Sequence, residues 1–300
     1  MNEKNTKFLN FGSLNQDMVY SVDHTVRPGE TTASSKLEFF CGGKGLNQSI
    51  ALARAGAKVF HAGCVGSDGE RLLEKLKEND IDTSLIKKCD MPSGHAIIQV
   101  DKNGQNSILL FGGANKQIDE EQIARVLSDF KASDKLFLQN EINDVDKIIA
   151  AASEKSIEII LNPSPFGDEI LSYPLDKITW FVVNETEANE LTGESDPDKI
   201  LSVFSEKYPS AKILLTLGSE GSICKANGKV YHQKIFNVPV ADTTAAGDTF
   251  LGFFFALVDT HGIESTLKYA SAASAVAVSR NGASSSIPKL YEVEDFLKNI

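Results

Sequence analysis

The sequence lacks the features that mark zinc-binding, disulfide-bonded and membrane-spanning proteins. Its four cysteines form no Cys-x-x-Cys pair and its five histidines show no ligand spacing, which argues against a zinc site or a disulfide framework. The longest apolar run, residues 249–258, is about half of the roughly 20 residues that a membrane-spanning helix needs, and residues 1–12 lack a signal-peptide pattern. We therefore expect a cytoplasmic protein with no membrane partner.

Clusters of basic residues are also lacking. The formal net charge is −11, and no basic cluster is longer than a pair of lysines, which argues against nucleic acid as a partner. Neither a Gly-x-x-x-x-Gly-Lys-Ser/Thr nor a Gly-x-Gly-x-x-Gly motif occurs, so a P-loop is excluded and a nicotinamide-dependent dehydrogenase is disfavoured. A small anionic ligand is still compatible, because the amides at a helix N-terminus can bind an anion whatever the net charge.

The chain does contain short apolar runs that alternate with segments of helical period. This alternation over 300 residues predicts one α/β domain with a mostly parallel sheet covered by helices on both faces, a three-layer α/β/α sandwich. Two segments, about 17–40 and 94–111, are strand-like with no helix between their halves, and the second has a turn signal at residues 101–104. They predict a small β-sheet made of two insertions, which would serve as padding, as a lid or as a dimer surface.

Two segments in the first 50 residues are candidates for ligand contacts. The glycines of CGGKGLNQS (41–49) permit a tight turn before a helix, either as a plain loop with a solvated Lys44 or as a close backbone approach to a polar ligand with Asn47 bonding its hydroxyls. In GSLNQD (12–17), Asn15 and Asp17 follow the first strand, where an amide and a carboxylate suit a polyol or simply form a turn.

The third candidate is DTTAAGD (242–248), which precedes the apolar run TFLGFFFALV. The amides before that helix predict an anion-binding array. Asp248 then has two interpretations: it is the helix N-cap, or it is a general base that takes a proton from a hydroxyl while the amides stabilise a phosphoryl group. The strand ends NETEA (184–188) and TLGSEG (216–221) would lie at the same edge of the sheet.

Together these motifs resemble the ribokinase-like (pfkB) family of carbohydrate kinases. The matching segments, in order, are GSLNQD, PGET (28–31), GGKGLNQ, LQNEI, NPSP (162–165), NETEA, TLGSEG, DTTAAGDTF and RNGASSSIP (280–288). The resemblance covers essentially the whole chain. It implies the ribokinase-like fold, ATP-dependent phosphorylation of a small sugar at a primary hydroxyl, Mg²⁺ on the ATP phosphates, K⁺ as an activator, and a homodimer that pairs through the β lid.

The resemblance also implies roles for individual residues. The base would be Asp248, and the anion hole would consist of Ala245, Ala246 and Gly247. Sugar contacts are expected from Asn15, Asp17, Gly43, Lys44 (through its backbone), Asn47 and Glu141. Nucleotide and magnesium contacts are expected from Asn184, Glu187, Thr216, Gly218, Ser219 and Gly221. The K⁺ site is expected at Asp242, Thr244, Ala277, Arg280, Gly282 and Ser286.

The substrate is the least determined part of this interpretation. The segments PGET and GGKGLNQ favour D-ribose, which would give D-ribose 5-phosphate, but fructose-type and nucleoside substrates share the scaffold. Leu46, Cys41 and Ser271 depart from residues that are common in the family, which affects the identity of the sugar and the adenine contacts. A sugar-sensing protein without catalysis is an alternative that the intact Gly247-Asp248 pair disfavours.

Overall fold

The computed structural model describes residues 6–300 and contains two separate β-sheets. The strands are β1 (Phe8–Phe11), β2 (Asn15–Ser21), β3 (Lys36–Gly42), β4 (Val59–Val65), β5 (Asp82–Lys88), β6 (Gly94–Val100), β7 (Asn106–Phe111), β8 (Lys135–Gln139), β9 (Glu158–Asn162), β10 (Trp180–Asn184), β11 (Lys212–Thr216), β12 (Ser222–Ala226) and β13 (Lys229–Gln233). The α-helices are α1 (Lys44–Arg54), α2 (Glu70–Lys77), α3 (Glu120–Ser128), α4 (Val145–Glu154), α5 (Glu185–Thr192), α6 (Pro197–Lys207), α7 (Ala246–His261), α8 (Ile263–Val278) and α9 (Leu290–Lys298).

The larger sheet has the strand order β13-β12-β11-β10-β9-β8-β1-β4-β5. Its neighbours are parallel from β11 to β5, and only the pairs that β12 makes with β11 and β13 are antiparallel. From β1 the chain runs first to β4 and β5 on one side and then to β8 and the strands beyond it on the other. Such a reversal of strand order marks the crevice where open α/β sheets bind ligands, at the carboxyl ends of the strands.

Helices cover both faces of this sheet, because its parallel strands direct apolar side chains to both faces. One core cluster joins the sheet to α3, α4, α5 and α6. The other joins it to α1, α2, α7, α8 and α9. Parallel strands that are buried on both faces need this double cover. The predicted three-layer α/β/α architecture with a mostly parallel sheet is confirmed.

Helix α7 lies in the second core, packed against the sheet. Phe254 and Phe255 contact the ring of Trp180 from β10 edge to face, with ring centroids 5.5 and 5.3 Å apart, and Phe255 also contacts Phe137 from β8. This burial explains the apolar run of the helix. Among residues 6–300 there is no helix long and apolar enough to cross a membrane.

Helix α1 lies directly against α7, and a glycine sets how closely they approach. A Cβ at Gly252 would lie 2.3 Å from the Cβ of Ala51 and 2.8 Å from its carbonyl carbon, which is too close for any side chain larger than hydrogen. Gly252 follows Asp248 by one helical turn, and Ala51 follows Asn47 by one turn. The close contact therefore holds the first turns of the two helices side by side.

The smaller sheet has the order β3-β2-β6-β7 and is formed by the two segments that interrupt the helical alternation. Strands β6 and β7 form a hairpin whose turn is held by the Asp101 carboxylate, which accepts hydrogen bonds from the amides of Asn103 and Gln105. All six residues of β7 are exposed, including Ile108 at 58% and Leu109 at 67%. One edge of this sheet therefore presents uncovered apolar residues.

Candidate active site

Four neighbouring strands of the large sheet end in a polar residue that faces α1 and α7. Residues two apart in a strand share a face, and the residue two positions earlier in each strand belongs to the core on the α1 and α7 side. These last residues are Gln139 of β8, Asn162 of β9, Asn184 of β10 and Thr216 of β11. A row of amide and hydroxyl groups thus lines the carboxyl edge of the sheet.

Asp248 does not cap its own helix. The N-cap of α7 is Ala245, which has a left-handed backbone with φ of 61°, and no side chain caps this end. The Asp248 carboxylate instead accepts hydrogen bonds from α1, at 3.3 Å from Nδ2 of Asn47 and at 2.9 Å from Nε2 of Gln48. The capping interpretation is therefore wrong, and this nearly buried carboxylate is held by the segment that contains the glycine-rich motif.

A cavity of about 240 Å³ opens beside Asp248 and unites the predicted groups. Its walls include Lys44 from α1, the strand ends Asn162, Asn184 and Thr216, and residues 245–248. Within residues 6–300 the amides of Gly247 and Asp248 have no backbone acceptor, as expected in the first turn of a helix, whereas that of Ala246 donates to the carbonyl of Thr243 at 3.2 Å. Free amides and a carboxylate therefore share one cavity.

The glycine-rich segment is fixed beside this cavity by Glu141. Gly43 is the N-cap of α1 and has a φ of 93°, a left-handed value that favours glycine. The next amide, that of Lys44, donates to Oε2 of Glu141 at 2.9 Å, and the hydroxyl of Ser13 donates to the same oxygen. Glu141 follows β8, so it ties the loop after β1 to the start of α1.

Asn15 and Asp17 lie in β2, where the small sheet meets the large one. Oδ1 of Asn15 accepts a hydrogen bond from Asn115 at 2.7 Å, and no acceptor among residues 6–300 bonds the Asn15 Nδ2 group. In the part of the chain that the structure describes, no donor reaches the Asp17 carboxylate, which lies over Gly42. Burial, and then the charge of Glu141, raise the pKa of Asp17 from its ordinary 3.8 to about 6.

On the other side of the cavity, Asn184 and Glu187 form a capping box at the start of α5. Oδ1 of Asn184 accepts from the Glu187 amide at 2.9 Å, and Oε2 of Glu187 accepts from the Asn184 amide at 3.0 Å. Thr216 lies beside Asn184 in the neighbouring strand. The residues Gly218, Ser219 and Gly221 follow in a loop outside the cavity wall, where the Leu217 amide donates to the Gly221 carbonyl at 2.8 Å.

The residues predicted to bind a monovalent cation come from the loop before α7, from the end of α8 and from the loop that follows α8. Asp242 accepts hydrogen bonds from the amide and hydroxyl of Thr244 at 2.9 and 2.6 Å, and from the amide of Gly282 at 3.0 Å. Burial alone would raise the pKa of Asp242, but these hydrogen bonds lower it below its ordinary value. Asp242 therefore joins the segment before α7 to the loop after α8.

The other predicted cation residues contribute differently. Ser286 is 1% exposed and its hydroxyl donates to the Ala283 carbonyl, while Ala277 is fully buried near the end of α8. The side chain of Arg280 points to Glu292 of α9, with a nitrogen–oxygen distance of 2.8 Å. Only its backbone carbonyl is then free to face a cation.

Several residues of the site are not among those predicted. Gln48 donates a hydrogen bond to Asp248 and is itself hydrogen-bonded to Gln139 and Asn162, and Asn115 orients Asn15. A signal for two of them was present: KLFLQ and IEIILN are buried strands that end in a polar residue at the edge where ligands bind. Gln48 had no such signal, because a glutamine inside a helix is ordinary.

Comparison with known proteins agrees with this geometry. Residues 5–290 match the sequence pattern of the family described as "pfkB family carbohydrate kinase". The chain is 38% identical to ribokinase of Haemophilus influenzae over 96% of its length and 97% of that protein, and 32% identical to deoxyribokinase of Salmonella typhi over 95% and 97%. The crystal structure of ribokinase from Cryptococcus neoformans in complex with ADP superposes with a TM-score of 0.85 at 32% identity, covering 97% of this chain and 99% of that one. The chain therefore belongs to the pfkB family and is a carbohydrate kinase.

Proposed function

We propose that the protein transfers the γ-phosphoryl group of ATP to the primary hydroxyl of D-ribose in the cytoplasm and so forms D-ribose 5-phosphate. The observation that carries this proposal is the cavity in which Asp248, the free amides of α7 and the ends of β10 and β11 meet. The sugar would bind between β2 and the start of α1, and the nucleotide beside Asn184 and Thr216. Both reactants would then lie next to one carboxylate.

In this proposal Asp248 takes the proton of the sugar hydroxyl as its oxygen attacks the γ-phosphorus. The predicted anion hole of Ala245, Ala246 and Gly247 changes in one member, because the Ala246 amide donates to Thr243, whereas the amides of Ala245, Gly247 and Asp248 have no backbone acceptor among residues 6–300. In this proposal these three amides stabilise the negative charge on the phosphoryl oxygens, an effect that is large where water is excluded. Magnesium, bound with ATP, would offset phosphate charge. Asn184 and Glu187 are the polar residues placed to hold it through water, which Mg²⁺ usually keeps.

The identity of the sugar is proposed from the hydrogen-bonding groups that Asp17 and Asn15 present to it. The carboxylate of Asp17 accepts hydroxyl hydrogens, whereas Nδ2 of Asn15 donates, so the pair suits a polyol with adjacent hydroxyls. Relatives named ribokinase and relatives named deoxyribokinase are both similar to the chain. Deoxyribose is thus the competitor that a test must include, together with fructose and nucleosides.

A substrate panel tests this proposal. With ATP, Mg²⁺ and K⁺ present, we expect the highest kcat/KM for D-ribose among ribose, 2-deoxyribose, fructose and nucleosides, measured by coupled detection of ADP. Higher kcat/KM for another sugar would replace ribose as the substrate. Sugar binding in calorimetry without ADP formation would identify a sensor and contradict the kinase activity.

The base is tested by Asp248→Asn, which keeps the shape of the side chain and removes the proton acceptor. We expect kcat to fall by about 10²-fold or more, with the dissociation constants of sugar and ATP little changed. Single-turnover kinetics and calorimetry measure the two quantities separately. Near-normal kcat in this variant would overturn the role of Asp248.

The raised pKa of Asp17 gives a pH dependence. In the free enzyme this side chain is mostly protonated below about pH 6 and is then a weaker acceptor of hydroxyl hydrogens than the carboxylate, so KM for the sugar should fall as pH rises from 5 to 7. Asp17→Asn should raise KM about 10-fold and abolish this slope. An unchanged slope in the variant would assign the pH dependence to another group.

The raised pKa of Asp17 also predicts that the free energy of unfolding depends on pH. Between pH 3.8 and about 6 the folded chain keeps a proton that the unfolded chain releases, so the contribution of Asp17 to the free energy of unfolding is lost as pH rises through this range. Asp17→Asn should therefore be more stable than the parent protein at pH 7.5, by about 1–3 kcal/mol. Urea denaturation at pH 4 and 7.5 measures this gain, which should vanish at the lower pH.

We also propose that K⁺ binds between the two loops that Asp242 joins, held by this carboxylate, backbone carbonyls and the Ser286 hydroxyl. Replacing K⁺ by tetramethylammonium should lower kcat several-fold, and Asp242→Asn should weaken this response. Arg280→Ala is the matched control, because only the carbonyl of Arg280 is assigned to the cation. Equal kcat in both salts would count against the site.

The exposed apolar residues of the small sheet support a proposed homodimer. Leu109 is 67% exposed in β7, whereas Leu171, away from this sheet, is 59% exposed. Leu109→Lys should give a monomer and Leu171→Lys should leave a dimer, as measured by light scattering at micromolar concentration. A monomeric mass for the unaltered protein would refute the proposal.

A further inference from the structure

Gln48 is the residue nearest to the proposed base that has so far been given no role. It lies in α1 and is 1% exposed, beneath the surface of the cavity. Its Nε2 atom is 2.9 Å from Oδ1 of Asp248 and 3.2 Å from Oδ1 of Asn162. Both amide hydrogens are therefore directed at groups that belong to the site. Asn47 is the other side-chain donor to Asp248, at 3.3 Å, but it is also an expected ligand of the sugar.

The orientation of the Gln48 amide follows from a chain of hydrogen bonds that begins at a backbone carbonyl. Nδ2 of Asn10 donates to the carbonyl of Gly45 at 2.8 Å, and because a carbonyl only accepts, Oδ1 of Asn10 must face the other way, toward Gln139. Nε2 of Gln139 donates to this oxygen at 3.0 Å and to Oε1 of Gln48 at 2.6 Å. The Gln48 amide then presents its nitrogen, and not its oxygen, to Asp248.

The hydrogen bonds from Asn10 through Gln139 to Gln48 fix the orientation of the Gln48 amide and carry no charge to it. Asn10 and Gln139 are 0% and 1% exposed, so water does not compete for their hydrogen bonds. Asn10 also donates to the Ser49 hydroxyl, which contacts Nδ1 of His61, and burial lowers the pKa of His61 to about 4. His61 is thus neutral at pH 7, so the branch through Asn10 ends in an uncharged group. Among the described residues the carboxylates that this network reaches are Asp248, through Gln48, and Glu187, which accepts a hydrogen bond of 3.5 Å from Asn162.

We propose that Gln48 is a positioning residue for Asp248: its amide, fixed by Gln139 and Asn10, sets the direction in which the Asp248 carboxylate faces. This proposal rests on the base role of Asp248 given above. Because Gln48 also donates to Asn162, it fixes the carboxylate relative to the strand end on the nucleotide side. Without Gln48, only Asn47 would restrain the carboxylate, and Asn47 must exchange that contact with the sugar.

The test is a kinetic double-mutant cycle on the full-length protein. Gln48→Met keeps the length of the side chain and removes the donor, and we expect kcat to fall about 10- to 100-fold, with KM for sugar and ATP changed less than about 3-fold. The same substitution in the Asp248→Asn background should lower the residual kcat by less than about 3-fold, because a side chain that acts through the base has no effect once the base is absent.

Gln122→Met is the matched control. Gln122 is also a buried helical glutamine, 2% exposed and hydrogen-bonded to the carbonyl of Gly63, but it lies on the opposite face of the sheet. It should lower the Tm about as much as Gln48→Met and leave kcat unchanged. Gln48→Glu is a second variant in case Gln48→Met does not fold. It keeps the acceptor for Gln139 but loses the donor to Asp248, so its kcat should also fall.

The outcomes separate the two proposals. A wild-type protein that phosphorylates no sugar in the panel overturns the base role and the positioning role together. An active wild type with normal kcat in Gln48→Met and Gln48→Glu overturns the positioning role alone. Equal fold losses of kcat in the presence and absence of Asp248 would also overturn it, because they would show a general structural effect. A crystal structure of Gln48→Met with a rotated Asp248 carboxylate would support it independently of turnover.

Discussion

Helices α1 and α7 approach so closely that the backbone of Gly252 lies against the side chain of Ala51, and no Cβ would fit at the glycine. One turn nearer the cavity, the same approach brings Asn47 and Gln48 within hydrogen-bond distance of Asp248. The first turn of α1, on the proposed sugar side, and the carboxylate in the first turn of α7, on the proposed phosphate side, thus belong to one rigid pair. Since displacements of about 1 Å can cost about 10²-fold in rate, this packing is the constraint on which the rest of the site depends.

The large sheet contributes the other wall of the site through the polar residues that end four of its neighbouring strands. The middle residues of strands β8 to β11 are apolar and buried on both faces, and the last residue of each strand is polar. A polar group there costs no core packing, because it lies at the rim where the cavity begins. The four amide and hydroxyl groups are therefore placed by strand register. Hydrogen bonds to α1 and α5 then orient Gln139, Asn162 and Asn184, and the Thr216 hydroxyl donates to the Val183 carbonyl of the neighbouring strand.

The sequence was enough to predict the layered α/β fold and the small sheet, because period and turn residues are local signals. The edge hairpin of β12 and β13 was not predicted, although its Asn227-Gly228 turn, with φ of 53° and 74°, has a recognisable signature. Asp248 stayed ambiguous because an N-cap and a first-turn residue lie only a few positions apart, and helix starts are uncertain by one or two residues. Gln48 could not be found, since which face of α1 meets α7 is decided by tertiary packing.

The bond between Asn47 and Asp248 joins residues 201 positions apart. During synthesis the segment that contains Asn47 leaves the ribosome early. Helix α7, which carries Asp248, exists only after almost all of the remaining chain has been made. Contacts of such long sequence separation also form late in folding, because the intervening chain must first be ordered. Under the role proposed for Asp248, an incomplete or partly folded molecule has no assembled base and does not consume ATP, so catalytic competence arises only with the finished fold.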